Sequence, residues 1–216
     1  MMKLSERIKT KIGIHLLEKR LRNQRRSVVV CNIQYAQQIG IIYNATETVS
    51  FEIIKDLAKR LSEHSTVSIL GYVNSKKLID HYLYRKGFDF FSRNDLNWYY
   101  KPVSEIAEAF GKKAFDILID LSLEKYYPIQ YIVALSPATF KVGKYSADEK
   151  YLDLMIDTEK ETEQMKKLHE EILKDKKDES VTNDIERDIE KKTQTELQLS
   201  FLINQIMHYL SILKKN

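Results

Sequence analysis

Gly40-Ile41-Ile42-Tyr43-Asn44-Ala45 is a near-continuous apolar run, the pattern of a strand covered on both faces. The next segment, Ser50 to His64, places Ile54, Leu57, Ala58 and Leu61 at helical spacing, and Thr48 or Ser50 is suited to cap it. Val67-Ser68-Ile69-Leu70-Gly71-Tyr72-Val73 then reads as a second strand. Strand, helix and strand in so short a span make a βαβ unit, whose two strands run parallel through a right-handed crossover.

The alternation continues outward from this unit. Upstream, the β-branched run Ser27 to Ile33 predicts a short strand, with Cys31 as a small buried hydrophobe. Downstream, helices are expected over Leu78–Tyr84, Val103–Phe110 (behind Pro102, ahead of Gly111) and Tyr131–Leu135. Strands are expected at Phe88–Phe91, Phe115–Ser122, Phe140–Gly143 and Leu152–Asp157. Leu199, Leu202, Ile203, Ile206, Leu210 and Leu213 fall in one arc of a final helix, with His208 pointing away from it. The fold class that follows is α/β: a three-layer Rossmann-like, mostly parallel sheet.

The chain has 216 residues, of which 43% are hydrophobic and 31% charged, enough apolar content for one core under a charge-dense surface. Its net charge of +4 conceals an asymmetry. Residues 1–26 hold nine basic and two acidic side chains, a formal +7, which leaves −3 for the other 190 residues. We read 1–26 as a basic helical arm, interrupted at Gly13, that packs partly on the body with its arginines outward. Residues 27–216 then form a single Rossmann-like domain. Within it, 158–193 reads as a charged helical insertion, an exposed hairpin turning near Lys174–Glu179. Residues 157–192 carry thirteen acidic and nine basic side chains, too many for a core element. No stretch approaches the roughly 20 apolar residues that span a bilayer, and the charged N-terminus lacks a signal-peptide core, so a cytoplasmic protein is expected.

The chemistry-bearing motifs of α/β enzymes are missing. The loop Tyr43 to Ser50 has no glycine, so it offers a pyrophosphate no close backbone approach, and Glu47 adds a negative charge there. No Walker A motif and no G-x-S-x-G elbow occur. One cysteine and five scattered histidines give no metal-ligand spacing. Asp116 and Asp120 share a strand face but lie about 13 Å apart by strand rise, too far for a catalytic dyad. We therefore expect no catalytic residues, no metal and no cofactor.

Two sets of candidate binding residues remain. In doubly wound sheets ligands sit outside the carboxyl ends of the strands. Projecting the predicted strands puts Asn44, Thr46, Asn74, Asp120, Ser122 and Tyr145 there, with Ser75 and Lys144 beside them. These residue types hydrogen-bond ligands, and equally close turns. The second set is partner-facing: Arg20, Arg22, Arg25 and Arg26 in the arm, and Trp98 in the aromatic segment Phe88 to Pro102. That segment has three readings: a base-stacking surface, a protein hot spot around Trp98, or core beneath a loop, which we favour.

The stretches Gly40 to Thr46, Leu70 to Ser75, Gly87 to Phe91, Asp95 to Trp98, Phe115 to Ser122 and Lys141 to Gly143 resemble an uncharacterised family of short cytoplasmic Bacteroidota proteins, a domain of unknown function. The likeness covers about residues 15 to 157 and resumes at His208-Tyr209-Leu210, with the charged stretch as an insertion. Phe115 to Ser122, Tyr131 to Ala138 and Phe140 to Gly143 are also similar to the end of the N-terminal half of heptosyltransferase-type glycosyltransferases. That second resemblance implies a relic of a nucleotide-sugar enzyme without its donor-binding half. The reading we carry forward is a binding module for a macromolecular partner, RNA or a ribonucleoprotein through the arm, or a protein. Self-association through 158–193 is a further expectation. The alternative is a small-ligand or nucleotide-sugar binder at the strand ends.

Overall fold

The computed structural model describes residues 4–46, 48–76, 87–148, 150–160, 163–164 and 183–214. Six strands form one sheet: β1 (Gln38–Asn44), β2 (Thr66–Val73), β3 (Phe88–Ser92), β4 (Ile117–Asp120), β5 (Phe140–Lys144) and β6 (Leu154–Ile156). Their order is β3-β2-β1-β4-β5-β6 and every pairing is parallel. This is the doubly wound order of a Rossmann-like sheet, so the α/β expectation holds. β1 lies at the centre because five of its seven residues are buried, with neighbours and helices on every side.

Among the described residues the sheet is accompanied by the helices α1 (Leu4–Leu21), α2 (Val49–Leu61), α3 (Glu105–Lys112), α4 (Tyr127–Leu135) and α5 (Asn183–Ile212). Side chains alternate across the strands, so β1 sends Ile39 and Ile41 to the face covered by α2 and α5. Ile42 goes to the face covered by α3 and α4. α1 lies outside α4, where Leu17 packs with Tyr127, Tyr131 and Ala134.

Several elements differ from the sequence expectation. Residues 27–33 form no strand. Val28 and Val29 are 52% and 47% exposed, and Asn32 caps a single 3-10 turn, Ile33–Tyr35. The Asn32 amide also donates to the carbonyls of Ser211 and Leu213, both at 2.8 Å, so it closes the end of α5. Cys31 is half-buried. Gly13 does not break α1, where it is buried as the closest approach of the helix to the body. A Cβ there would stand 2.7 Å from both the Tyr127 ring and the Tyr99 carbonyl oxygen. α3 starts two residues late because Ser104 caps it, and α4 starts four residues early, with Pro128 in its first turn.

The expected helix at 78–84 lies outside the described residues, as does the turn of the 158–193 hairpin near Lys174–Glu179. The second half of that segment is not a separate element. From Asn183 it is continuous with the C-terminal helix, in one run of 30 residues. Its apolar arc, Leu199, Leu202, Ile203, Ile206 and Leu210, is buried against the sheet, and His208 is exposed, as expected.

Candidate functional site at the ends of β4 and β5

Parallel neighbours need a crossover of about a dozen residues, usually helical. β5 and β6 are parallel neighbours, yet residues 145–153 alone join them, and the described ones form no helix. The connection rises past the strand ends as Tyr145 to Asp148 and returns through Leu152, which is buried on the α4 side. Gly143 lets it pass: a Cβ there would lie 3.1 Å from Leu152 and 3.2 Å from the Asp120 carbonyl oxygen. Between this connection and the start of α4, a cavity of about 350 Å³ opens at the strand ends.

Its wall is polar at the bottom. Asp120 ends β4, is buried, and accepts a hydrogen bond from the Ser122 amide at 2.9 Å. The Ser122 and Ser146 hydroxyls, both in the wall, are buried and have no hydrogen-bond partner among the described residues. Lys144 donates to the Leu123 carbonyl at 3.1 Å, and Lys125 pairs with Asp148 at 3.2 Å. Tyr126 donates to Glu124 at 3.0 Å, and the Tyr126 and Tyr145 rings supply apolar surface.

The six strand-end candidates therefore separate into two groups. Asp120, Ser122 and Tyr145 line the cavity. Asn44, Thr46 and Asn74 do not, because they hold one another. The Asn44 side-chain oxygen accepts from the Thr46 amide at 3.1 Å and from its hydroxyl at 2.6 Å. The Thr46 hydroxyl accepts from the Asn74 amide at 2.9 Å, and Tyr72 donates to the Asn74 side chain at 3.2 Å. This network ties β1 to β2 and fills the place where a nucleotide-binding glycine loop would lie. Sequence reasoning missed Ser146, Gln130 and Glu159 in the wall.

The arm residues separate as well. Arg22 and Arg25 are exposed. Arg20, also exposed, donates to the Tyr131 hydroxyl at 2.5 Å and lies 5.8 Å above that ring. Arg26 points inward. It forms a two-pronged pair with Asp153, at 2.8 and 2.5 Å, and donates to the carbonyls of Ala138 and Thr139. Beside this clamp Lys141 is 1% exposed and donates to the Ala134 carbonyl at 2.9 Å. Burial, and the charge of Arg26, push its ammonium down to about 7, against the opposing pull of Asp153.

Trp98 is 62% exposed, so the aromatic segment does not bury it as core. It sits at the tip of a tight loop. There Asn97 accepts from the amides of Tyr99 and Lys101, and Tyr100 takes a positive φ of 66°.

The sequence match is unambiguous about kinship. The chain belongs to a family of unknown function, DUF6913. The family's profile matches residues 9–174, more than half of the chain. Neither the curated proteins nor the solved structures yield a match to it. The DUF6913 match takes in every wall residue of the cavity and the whole Arg26–Asp153 clamp, while α5 lies beyond it.

Proposed function

We propose that this DUF6913 chain is a binding protein for a small polar molecule, held in the cavity at the carboxyl ends of β4 and β5. The observation that carries this reading is the pair of buried hydroxyls, Ser122 and Ser146, without partners among the described residues in the wall of one cavity. Buried polar groups are nearly always hydrogen-bonded; both oxygens are closed off from solvent, and rotation of the serine side chains toward the cavity would bring them to a ligand's donors and acceptors. A volume near 350 Å³ suits a molecule of metabolite size. Binding without catalysis is favoured because an acting serine nucleophile needs a base in hydrogen-bond contact, and neither hydroxyl has one among the described residues. The proposed setting, the bacterial cytoplasm, rests on the family likeness of the sequence.

The test is a melting-temperature screen of the full chain against a metabolite library. A ligand at about 100 times its Kd adds about 2.7 kcal/mol, which raises Tm by about 5–11 °C for a chain of this size. Ser122→Ala and Ser146→Ala should each shrink that shift. A hit whose shift both variants keep unchanged would place its site elsewhere.

A macromolecular partner is the second reading, favoured by the exposed Trp98 with Arg22 and Arg25 outward. With Arg20 and Arg26 engaged in the body, the arm presents fewer free arginines to a phosphate backbone than its +7 suggests. RNA binding should then weaken steeply with salt, and Arg22→Glu with Arg25→Glu should abolish it. Retention of RNA by that double variant at low salt would end the arm version.

A further inference from the structure

The charge of the cavity wall says which ligand it takes. Among the described residues it holds four carboxylates, Asp120, Glu124, Asp148 and Glu159, against two ammonium groups, Lys125 and Lys144. Both lysines are occupied: Lys125 by Asp148, and Lys144 by the Leu123 carbonyl. The wall therefore carries a formal −2.

We infer, resting on the small-molecule reading above, that the ligand is a small organic cation, an amine bearing hydroxyl or other polar groups, and not a phosphate ester. Three features of the wall converge on that class. The Asp120 carboxylate is buried at its floor, where a positive charge is attracted through less water than at the surface. Tyr126 and Tyr145 are in the wall, and aromatic rings attract ammonium groups where they repel anions. The Ser122 and Ser146 hydroxyls, turned toward the cavity, can accept from an ammonium or donate to a ligand hydroxyl. An anion would meet a wall in which carboxylates outnumber ammonium groups four to two. The usual anion cradle of this topology, the loop after β1, is closed by Asn44, Thr46 and Asn74.

The experiment uses two scaffolds, each in three charge states. The full chain, labelled for amide NMR, is titrated with glucosamine, glucose and glucose 6-phosphate, and with benzylamine, benzyl alcohol and benzoate. The expected result is that the two amines move the amides of residues 120–126 and 144–148, with a Kd at least about tenfold below that of the matched anion. Asp120→Asn keeps the acceptor for the Ser122 amide and removes the charge, so it should weaken the amines about tenfold and change the neutral probes little. Should that variant misfold, Glu159→Gln, on the exposed rim, tests the same preference with a smaller loss. Anions binding those amides as tightly as the amines would overturn the cation assignment and leave the cavity reading standing. If no probe of any charge moves them, the cavity reading fails and takes this inference with it.

Discussion

Lys141 has its ammonium nitrogen 2.9 Å from the Ala134 carbonyl and almost no exposed surface. Its protonated form is disfavoured in the folded chain, where it titrates near 7, against an ordinary 10.5. Between those values the unfolded chain holds a proton that the folded chain lacks. Stability therefore rises with pH across that window, by up to about 1.4 kcal/mol per unit from this group. Below about 7 both states are protonated and the full penalty remains. Lys141→Met should flatten the slope and gain most at or below pH 7, as read from urea unfolding at pH 6, 7, 8 and 9. Parallel curves for the two proteins would show that Lys141 does not titrate in this range. Gly13 gives a second residue-scale expectation. In an exposed helix, alanine for glycine gains about 1 kcal/mol. Here the new methyl would meet Tyr127 and the Tyr99 carbonyl at 2.7 Å, and a carbonyl in a tight loop cannot swing aside. Gly13→Ala should therefore lower Tm, and a rise would mean that α1 stands off α4 in solution.

At the scale of elements, β1, β2, β4 and β5 were legible because each is covered on both faces, which forces a run of apolar residues. The run at Val28-Val29-Val30 carries the same signature and forms no strand. Its backbone is instead directed by neighbours that no local pattern reveals: Arg26 in the clamp and Asn32 on the end of α5. α1 was legible as a helix packed partly on the body, but the residues that attach it were not, because Gly13, Leu17 and the polar pairs Glu6–Arg93 and Arg20–Tyr131 make the contact in place of a broad apolar stripe. The clamp lets this element be tested. Arg26→Ala leaves Asp153, a group 11% exposed, without its partner, and removes a donor from two carbonyls. Breaking one side of a buried pair costs about 3–5 kcal/mol. We expect a loss of that order in urea unfolding, with faster amide exchange in α4 and β5. A loss below about 1 kcal/mol would mark the pair as solvated, of the surface kind.

For the whole molecule, topology placed all six candidate residues at the strand ends, and the sequence could be read that far. Which of them face open space depends on the connections. The short turn after β1 closes on itself through Asn44 and Thr46, whereas the nine-residue path from β5 to β6 leaves a space that Asp120, Ser122 and Tyr145 line. The legible signal was the spacing between the two apolar runs, too short for a crossover helix. The same view of the whole chain separates kinship from folding. The family match ends at residue 174, but the sheet face opposite α3 and α4 is completed by α5. Leu199, Leu202, Ile203, Ile206 and Leu210 are each at most 3% exposed there. Burying five such side chains contributes about 8–15 kcal/mol, comparable to the entire stability of an ordinary domain. A chain cut after residue 174 should therefore lose cooperative thermal unfolding, bind a hydrophobic dye and lose near-ultraviolet circular dichroism while keeping much of its helix signal. A sharp, reversible melt of that fragment would show that α2 and the sheet bury their shared face without α5.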